Sequence, residues 1–249
     1  MGRCHLCLCA SEHSGATILS TLTHGRGWLR SPAFGSYARP LSSSRTEDAE
    51  TTLCVRCEAR INAGEERLVR RALRPALFGW DARPEIRYGA WLPRLIAALA
   101  ARALDAPPPG PADAALTADV TAASATWRAY AAGERTSVGR FLLHLLPVVP
   151  LVDEWRQAAY AQRVGAMQAL VARTGDAFVW LKLPGMVALG AIRAPLLTGR
   201  PLDERAGTWT SRTAIVPGLI RFLMFEELQR SLSRSYEADA VRPVTVPAH

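Results

Sequence analysis

Leu53-Cys54-Val55-Arg56-Cys57-Glu58 is the stretch on which the reading of this chain depends. Its two thiols stand two residues apart, the spacing that lets both sulfurs of a tight turn face one metal ion. A second pair with the same spacing, Cys4-His5-Leu6-Cys7, opens the chain. One such pair is a weak signal, because redox turns share it. Two in one short region supply the four thiolates of a closed tetrahedral zinc site. The competing explanations are unrelated thiol turns, or disulfides in a secreted protein. The expectation is a structural Zn2+ held by Cys4, Cys7, Cys54 and Cys57, with no open position for water. Cys9 is left over, a substitute ligand or a free thiol.

Outward from these pairs, the intervening chain is polar and rich in Gly and Ser, including Gly25, Gly27 and Ser42-Ser43-Ser44. It has little hydrophobic periodicity and cannot bury much by itself, so a metal is the expected organiser. After the second pair, Glu58 to Arg74 reads as a helix with Ile61, Leu68 and Leu73 on one side. A knuckle, a loop or hairpin, and a second knuckle opening a helix is the outline of a treble-clef zinc finger. Residues 1–75 are assigned to that module.

Residues 76–240 form the second expected unit. Pro75 to Pro84 is a turn-rich joint. Tyr88 to Leu104 is predicted as a helix, with Pro93 tolerated in its first turns. Asp105 to Asp113 is a stiff exposed loop containing Pro107-Pro108-Pro109-Gly110-Pro111. Helix resumes over Ala114 to Gly133 and again over Asp153 to Thr174. His144, set among leucines, reads as a hydrogen-bonded core histidine. From Ala177 the period changes, and Phe178–Leu181, Met186–Leu189 and Gly207–Ile215 read as short strands. Val216 to Ser235 is a closing amphipathic helix with Pro217 in its first turn. The fold class is α+β: a treble-clef zinc module joined to a mainly helical body with a small antiparallel sheet.

Composition sets the remaining limits. Of 249 residues, 49% are hydrophobic and 21% charged, enough for a core and no case for global disorder. No stretch reaches the ~20 uninterrupted apolar residues that span a bilayer, and no signal pattern opens the chain. Five cysteines, four of them in metal-spaced pairs, suit a reducing compartment. The expectation is a cytoplasmic protein with no membrane partner. A net charge of +8 and a pI near 9.8 favour polyanions, DNA or RNA. Lys182 is the only lysine, so arginine carries that charge, and the alanine-rich composition points to biased genome usage as a further source of it. The best phosphate-binding candidate is the helix after the second knuckle, through Arg60, Arg67, Arg70, Arg71 and Arg74. The competing reading is an ordinary solvated helix face.

The pieces Cys4-His5-Leu6-Cys7 and Leu53-Cys54-Val55-Arg56-Cys57-Glu58, with Trp91-Leu92-Pro93-Arg94-Leu95 further on, resemble a group of bacterial proteins similar to the zinc-binding HNH endonucleases. The resemblance implies a zinc-stabilised finger of nuclease ancestry. An active HNH site needs a histidine base to activate water and further His, Asn or Asp side chains for a divalent cation. The corresponding position falls near Ser20-Thr21-Leu22, which holds no imidazole, and Glu58 stands where a nuclease commonly has histidine. The module is therefore expected to be a degenerate HNH-like form that binds without cleaving. The alternatives are a metal-dependent endonuclease using His13 or His24 as catalytic base, and a structural subunit that docks a protein partner through helices such as Tyr88 to Leu104. No phosphate-cradling Gly-rich loop, nucleophile elbow or HExxH helix occurs.

Overall fold

The computed structural model describes residues 3–10, 38–42, 53–68, 70–71, 85–104, 114–147, 167–172, 176–183, 186–193 and 201–210. His13, His24, Arg74, the proline loop and the expected closing helix Val216–Ser235 lie outside them. Among the described residues, three helices, α1 (Val55–Leu68), α2 (Trp91–Ala103) and α3 (Ala114–Ala132), accompany seven strands. The strands are β1 (Ala38–Ser42), β2 (Glu85–Gly89), β3 (Leu143–Pro147), β4 (Met167–Ala172), β5 (Ala177–Leu183), β6 (Met186–Arg193) and β7 (Ala206–Thr210). They make a five-stranded sheet in the order β1-β4-β5-β6-β3 and a separate two-stranded ribbon, β2-β7, with every pairing antiparallel. The chain is thus α+β, with a larger sheet than its sequence predicts.

Helix α2 is the centre of the packing. From Leu95 to Ala103 every residue is buried, arginine at 102 included. A helix apolar nearly all round needs neighbours on every side, and α2 has them in α1, α3, β2 and the sheet. Pro93 sits in the first turn, where its missing N–H has no intrahelical partner to lose. The alanines let the helix lie close to its neighbours. Gly190 of β6 does the same from the sheet side: a Cβ there would stand 2.7 Å from the Trp127 ring. Trp127 of α3 is fully buried, and its indole N–H donates to the Phe141 carbonyl at 2.9 Å. One apolar cluster runs from Cys4, Leu6 and Leu53 through α2 to strands β3, β5 and β6.

Three expectations are corrected. Tyr88 belongs to β2, opposite Gly207, and the helix begins only at Trp91. Glu85 to Tyr88 alternates exposed and buried, the period of a strand, and Gly89 ends it. The absence of a side chain at Gly207 leaves room for the Tyr88 ring, whose hydroxyl accepts the Asp203 N–H at 3.0 Å. Second, the end of the predicted helix Asp153–Thr174 is strand β4, paired on both sides by β1 and β5; the rest of that segment is outside the described residues. Third, the stretch between the knuckles, expected as a loop or hairpin, contributes β1 to the larger sheet by pairing with β4, and its Pro40 is accommodated because β1 lies on a sheet edge. The helix expected from Glu58 to Arg74 is present as α1 to Leu68, with Arg70 and Arg71 in a π-helical turn beyond it, and Arg74 is outside the described residues. The predicted strands at 178–181 and 186–189 are present as β5 and β6, and β7 covers the start of the third. The two-stranded ribbon is tied to β3 by the Trp209 indole N–H, 2.6 Å from the Leu145 carbonyl.

Candidate metal centre

Two local structures carry the four paired cysteines. Residues 3–10 fold back on themselves: Arg3 bridges Ala10, the Cys4 N–H donates to the Cys9 carbonyl, and the Leu8 N–H to the Cys4 carbonyl, both at 2.9 Å. Leu8 closes this turn in the left-handed region, φ 56°, which leucine adopts only at a cost of ~1–2 kcal/mol. The second pair opens α1. Cys54 immediately precedes the helix, its carbonyl accepts the Glu58 N–H at 2.9 Å, and its sulfur accepts the Cys57 N–H. A sulfur capping the third helical N–H is a thiol version of the usual oxygen cap, and the helix N-terminus favours its anion. Leu6 and Leu53, 2% and 1% exposed, anchor the two turns in one core, which is what brings segments fifty residues apart together.

The four sulfurs of Cys4, Cys7, Cys54 and Cys57 all lie within 4.8 Å of one another. A tetrahedral ion with bonds of ~2.3 Å holds its sulfurs about 3.8 Å apart. The Cys7 and Cys54 sulfurs stand 3.7 Å apart, one edge of such a tetrahedron. Cys4, Cys54 and Cys57 are buried and Cys7 is half-buried. An all-sulfur donor set of this size and geometry can hold a metal ion, and it is the set that the spacing predicts.

Crowding sets the acidity of the thiols. Burial opposes charge at Cys54, but hydrogen bonds from the Cys57 backbone and from the neighbouring thiols outweigh it and bring Cys54 down to about 6. Burial pushes Cys7 up to about 12, and its hydrogen bonds with the Cys9, Cys4 and Cys54 thiols add to this, outweighing the Cys9 backbone bond that favours the anion. Cys57 is also pushed up, by burial first and then by the adjoining sulfurs. Of these three Cys54 is the sulfur most readily charged, and a cation would be needed to draw protons from Cys7 and Cys57.

His5 lies beside the centre but outside the four-sulfur group. Burial, then the positive Arg128 and Arg102, lower its imidazole to about 4, so it is neutral near pH 7. His144 is 2% exposed in β3 and, away from the cysteines, is held below the usual imidazole range by burial. No hydrogen bond of its ring is recorded among the described residues. Cys9 is exposed, and its sulfur lies 2.9 Å from that of Cys7. A cavity of about 350 Å³ between the leading turn and α3 reaches Cys7 as well; Leu6, Leu8, Val120, Thr121 and Arg128 line it.

The arginines in and just beyond α1 divide. Arg60 turns inward and donates to the carbonyls of Ala131 and Ala132 at the end of α3, where a cation satisfies the unpaired groups and the negative helix end. Gly133, at φ 79°, completes that end: the Gly133 N–H donates to Tyr130 and the Glu134 N–H to Ala129. Arg70 pairs with Glu66, and Arg71 donates to the Arg87 carbonyl at 3.0 Å. Arg67, and Arg56, which spacing alone did not single out, are exposed. Compared with models of known families, with curated proteins and with solved structures, the chain gives no match. The likeness to HNH proteins therefore rests on the two knuckles and the short motifs quoted with them. No helix among the described residues is long and apolar enough to cross a membrane.

Proposed function

We propose that this is a zinc-stabilised binding protein whose α1 contacts nucleic acid. The observation that carries it is the cluster of four thiols at the N-terminus of α1, whose exposed positions include Arg56 and Arg67, with exposed Arg70 and Arg71 just beyond its end. Zinc is the natural ion for four thiolates in a closed tetrahedral shell, though iron takes the same donors. The second knuckle opening a helix is the part of a treble-clef outline on which the reading leans. Zinc would act by holding the leading turn against α1, not by activating water, since all four positions are filled by sulfur. Phosphate contacts from the exposed guanidiniums give affinity without base readout.

Metal analysis and a fluorescence-anisotropy titration of labelled DNA and RNA test this reading. The expected results are about one zinc per chain and binding that weakens with salt, the slope falling by about 1 for each of Arg56→Ala and Arg67→Ala. No binding at low salt, or a slope unchanged in both variants, refutes the nucleic-acid part. A protein partner is a second reading, favoured by Leu8 and Val55, apolar side chains 52% and 67% exposed at the tips of the two knuckles. It does not involve α2, whose apolar residues are taken up by this chain's own core. Unchanged size-exclusion and pull-down behaviour in a Leu8→Ser, Val55→Ser double variant would dismiss it.

A further inference from the structure

Cys9 has a position that the metal centre alone does not explain. Its sulfur is 2.9 Å from that of Cys7, closer than the 3.7 Å between the sulfurs of Cys7 and Cys54. Leu8, between the two cysteines, holds the left-handed conformation that turns Cys9 back toward Cys7, and its own side chain is exposed and not retained by packing. The Cys4 N–H to Cys9 carbonyl bond fixes the backbone of the turn. Of the five cysteines, Cys9 alone is exposed, and Cys7 is the one ligand of the four that is not fully buried. The cavity beside α3 also reaches Cys7. Two adjoining sulfurs at the only accessible edge of a four-sulfur centre are set up for oxidation.

We infer that Cys7 and Cys9 are an oxidisable pair whose closure to a disulfide withdraws one ligand from the centre and releases its metal. The inference rests on the metal reading above. The oxidant class is a peroxide. The exposed Cys9 thiol takes one oxygen from it, giving a sulfenic acid and water. Cys7 sulfur then attacks the Cys9 sulfur, and the electron pair that held the metal becomes the S–S bond. Hydroxide leaves and is protonated to water. Two thiols and one peroxide thus give one disulfide and two waters, a two-electron oxidation of sulfur. Three sulfurs remain for the ion, the fourth position opens to solvent, and affinity falls. A dithiol reductant reverses the step.

The experiment uses the full chain with its metal content measured first. Hydrogen peroxide is added with a chromogenic chelator present, and the cysteines are then alkylated and mapped by mass spectrometry. The expected result is metal release accompanied by a Cys7–Cys9 disulfide, reversed by dithiothreitol with added zinc. Cys9→Ser and Cys9→Ala, at a surface position outside the ligand set, should hold the same metal and release it at least about tenfold more slowly. Equal release in both variants, a Cys7–Cys54 disulfide in its place, or fully retained metal overturns the inference. A preparation that binds no zinc at all overturns the metal reading and this inference with it, and so is distinguishable from failure of the inference alone.

Discussion

Loading the four-sulfur centre should expel protons, and the acidities of its thiols set how many. Cys7, raised to about 12, and Cys57, also raised, are protonated in the metal-free protein throughout the neutral range. Each must lose its proton to become a ligand. Cys54, lowered to about 6, has lost most of its own by pH 7. Cys7 and Cys57 together therefore contribute two protons per ion, a lower bound because Cys4 must also bind as a thiolate, and Cys54 adds its own only as pH falls toward 6. Displacing at least two protons raises the affinity for the ion by at least about 100-fold for each unit of rising pH, or ~2.7 kcal/mol. The sign follows directly: zinc tightens as pH rises and is shed as pH falls, more steeply below about pH 6. Competition against a chelator of known proton affinity between pH 6.5 and 8 measures the slope, and calorimetry in buffers of different ionisation heat counts the protons. A rise of less than about tenfold per pH unit would show that Cys7 and Cys57 are already ionised or do not bind the ion.

Three further outcomes follow from the packing. Gly190→Ala places a methyl 2.7 Å from the Trp127 ring, and the ring cannot retreat without straining its 2.9 Å bond to Phe141; the cost should be about 2–4 kcal/mol by urea unfolding, reduced when Trp127→Phe is added. A cost below about 0.5 kcal/mol would mean that the helices do not press on the sheet there. Arg60→Met removes the cation that closes α3, so it should lower stability by about 1–2 kcal/mol while leaving nucleic-acid affinity unchanged. The reverse pattern, a stable protein with weakened binding, would put Arg60 on the outer surface. His144 is held neutral by burial, so its folded pKa lies below its unfolded value. Its contribution is present in full above about pH 6.5 and is lost as pH falls through that range. His144→Leu should flatten the acid side of the stability curve relative to the parent, both proteins carrying the same metal centre, and parallel curves would exclude it.

The sequence alone marked the two thiol pairs, because two cysteines two residues apart on a tight turn can face one point. It also marked α3, and β5 and β6 as short continuous apolar runs bounded by turn residues. It did not show β4, for Met167 to Ala172 is strand only because β1 and β5 flank it, and pairing of that kind lies outside any local window. Nor did it separate the arginines: Arg60 and Arg67 look alike along the helix, and only the end of α3 decides that one turns inward. Cys9 is the same case, a spare thiol by spacing and a near neighbour of Cys7 once the turn closes at Leu8. Ligand spacing is a property of a few consecutive bonds. Which charges stay free and which sulfurs meet depends on how distant segments pack, so only the tertiary structure decided them.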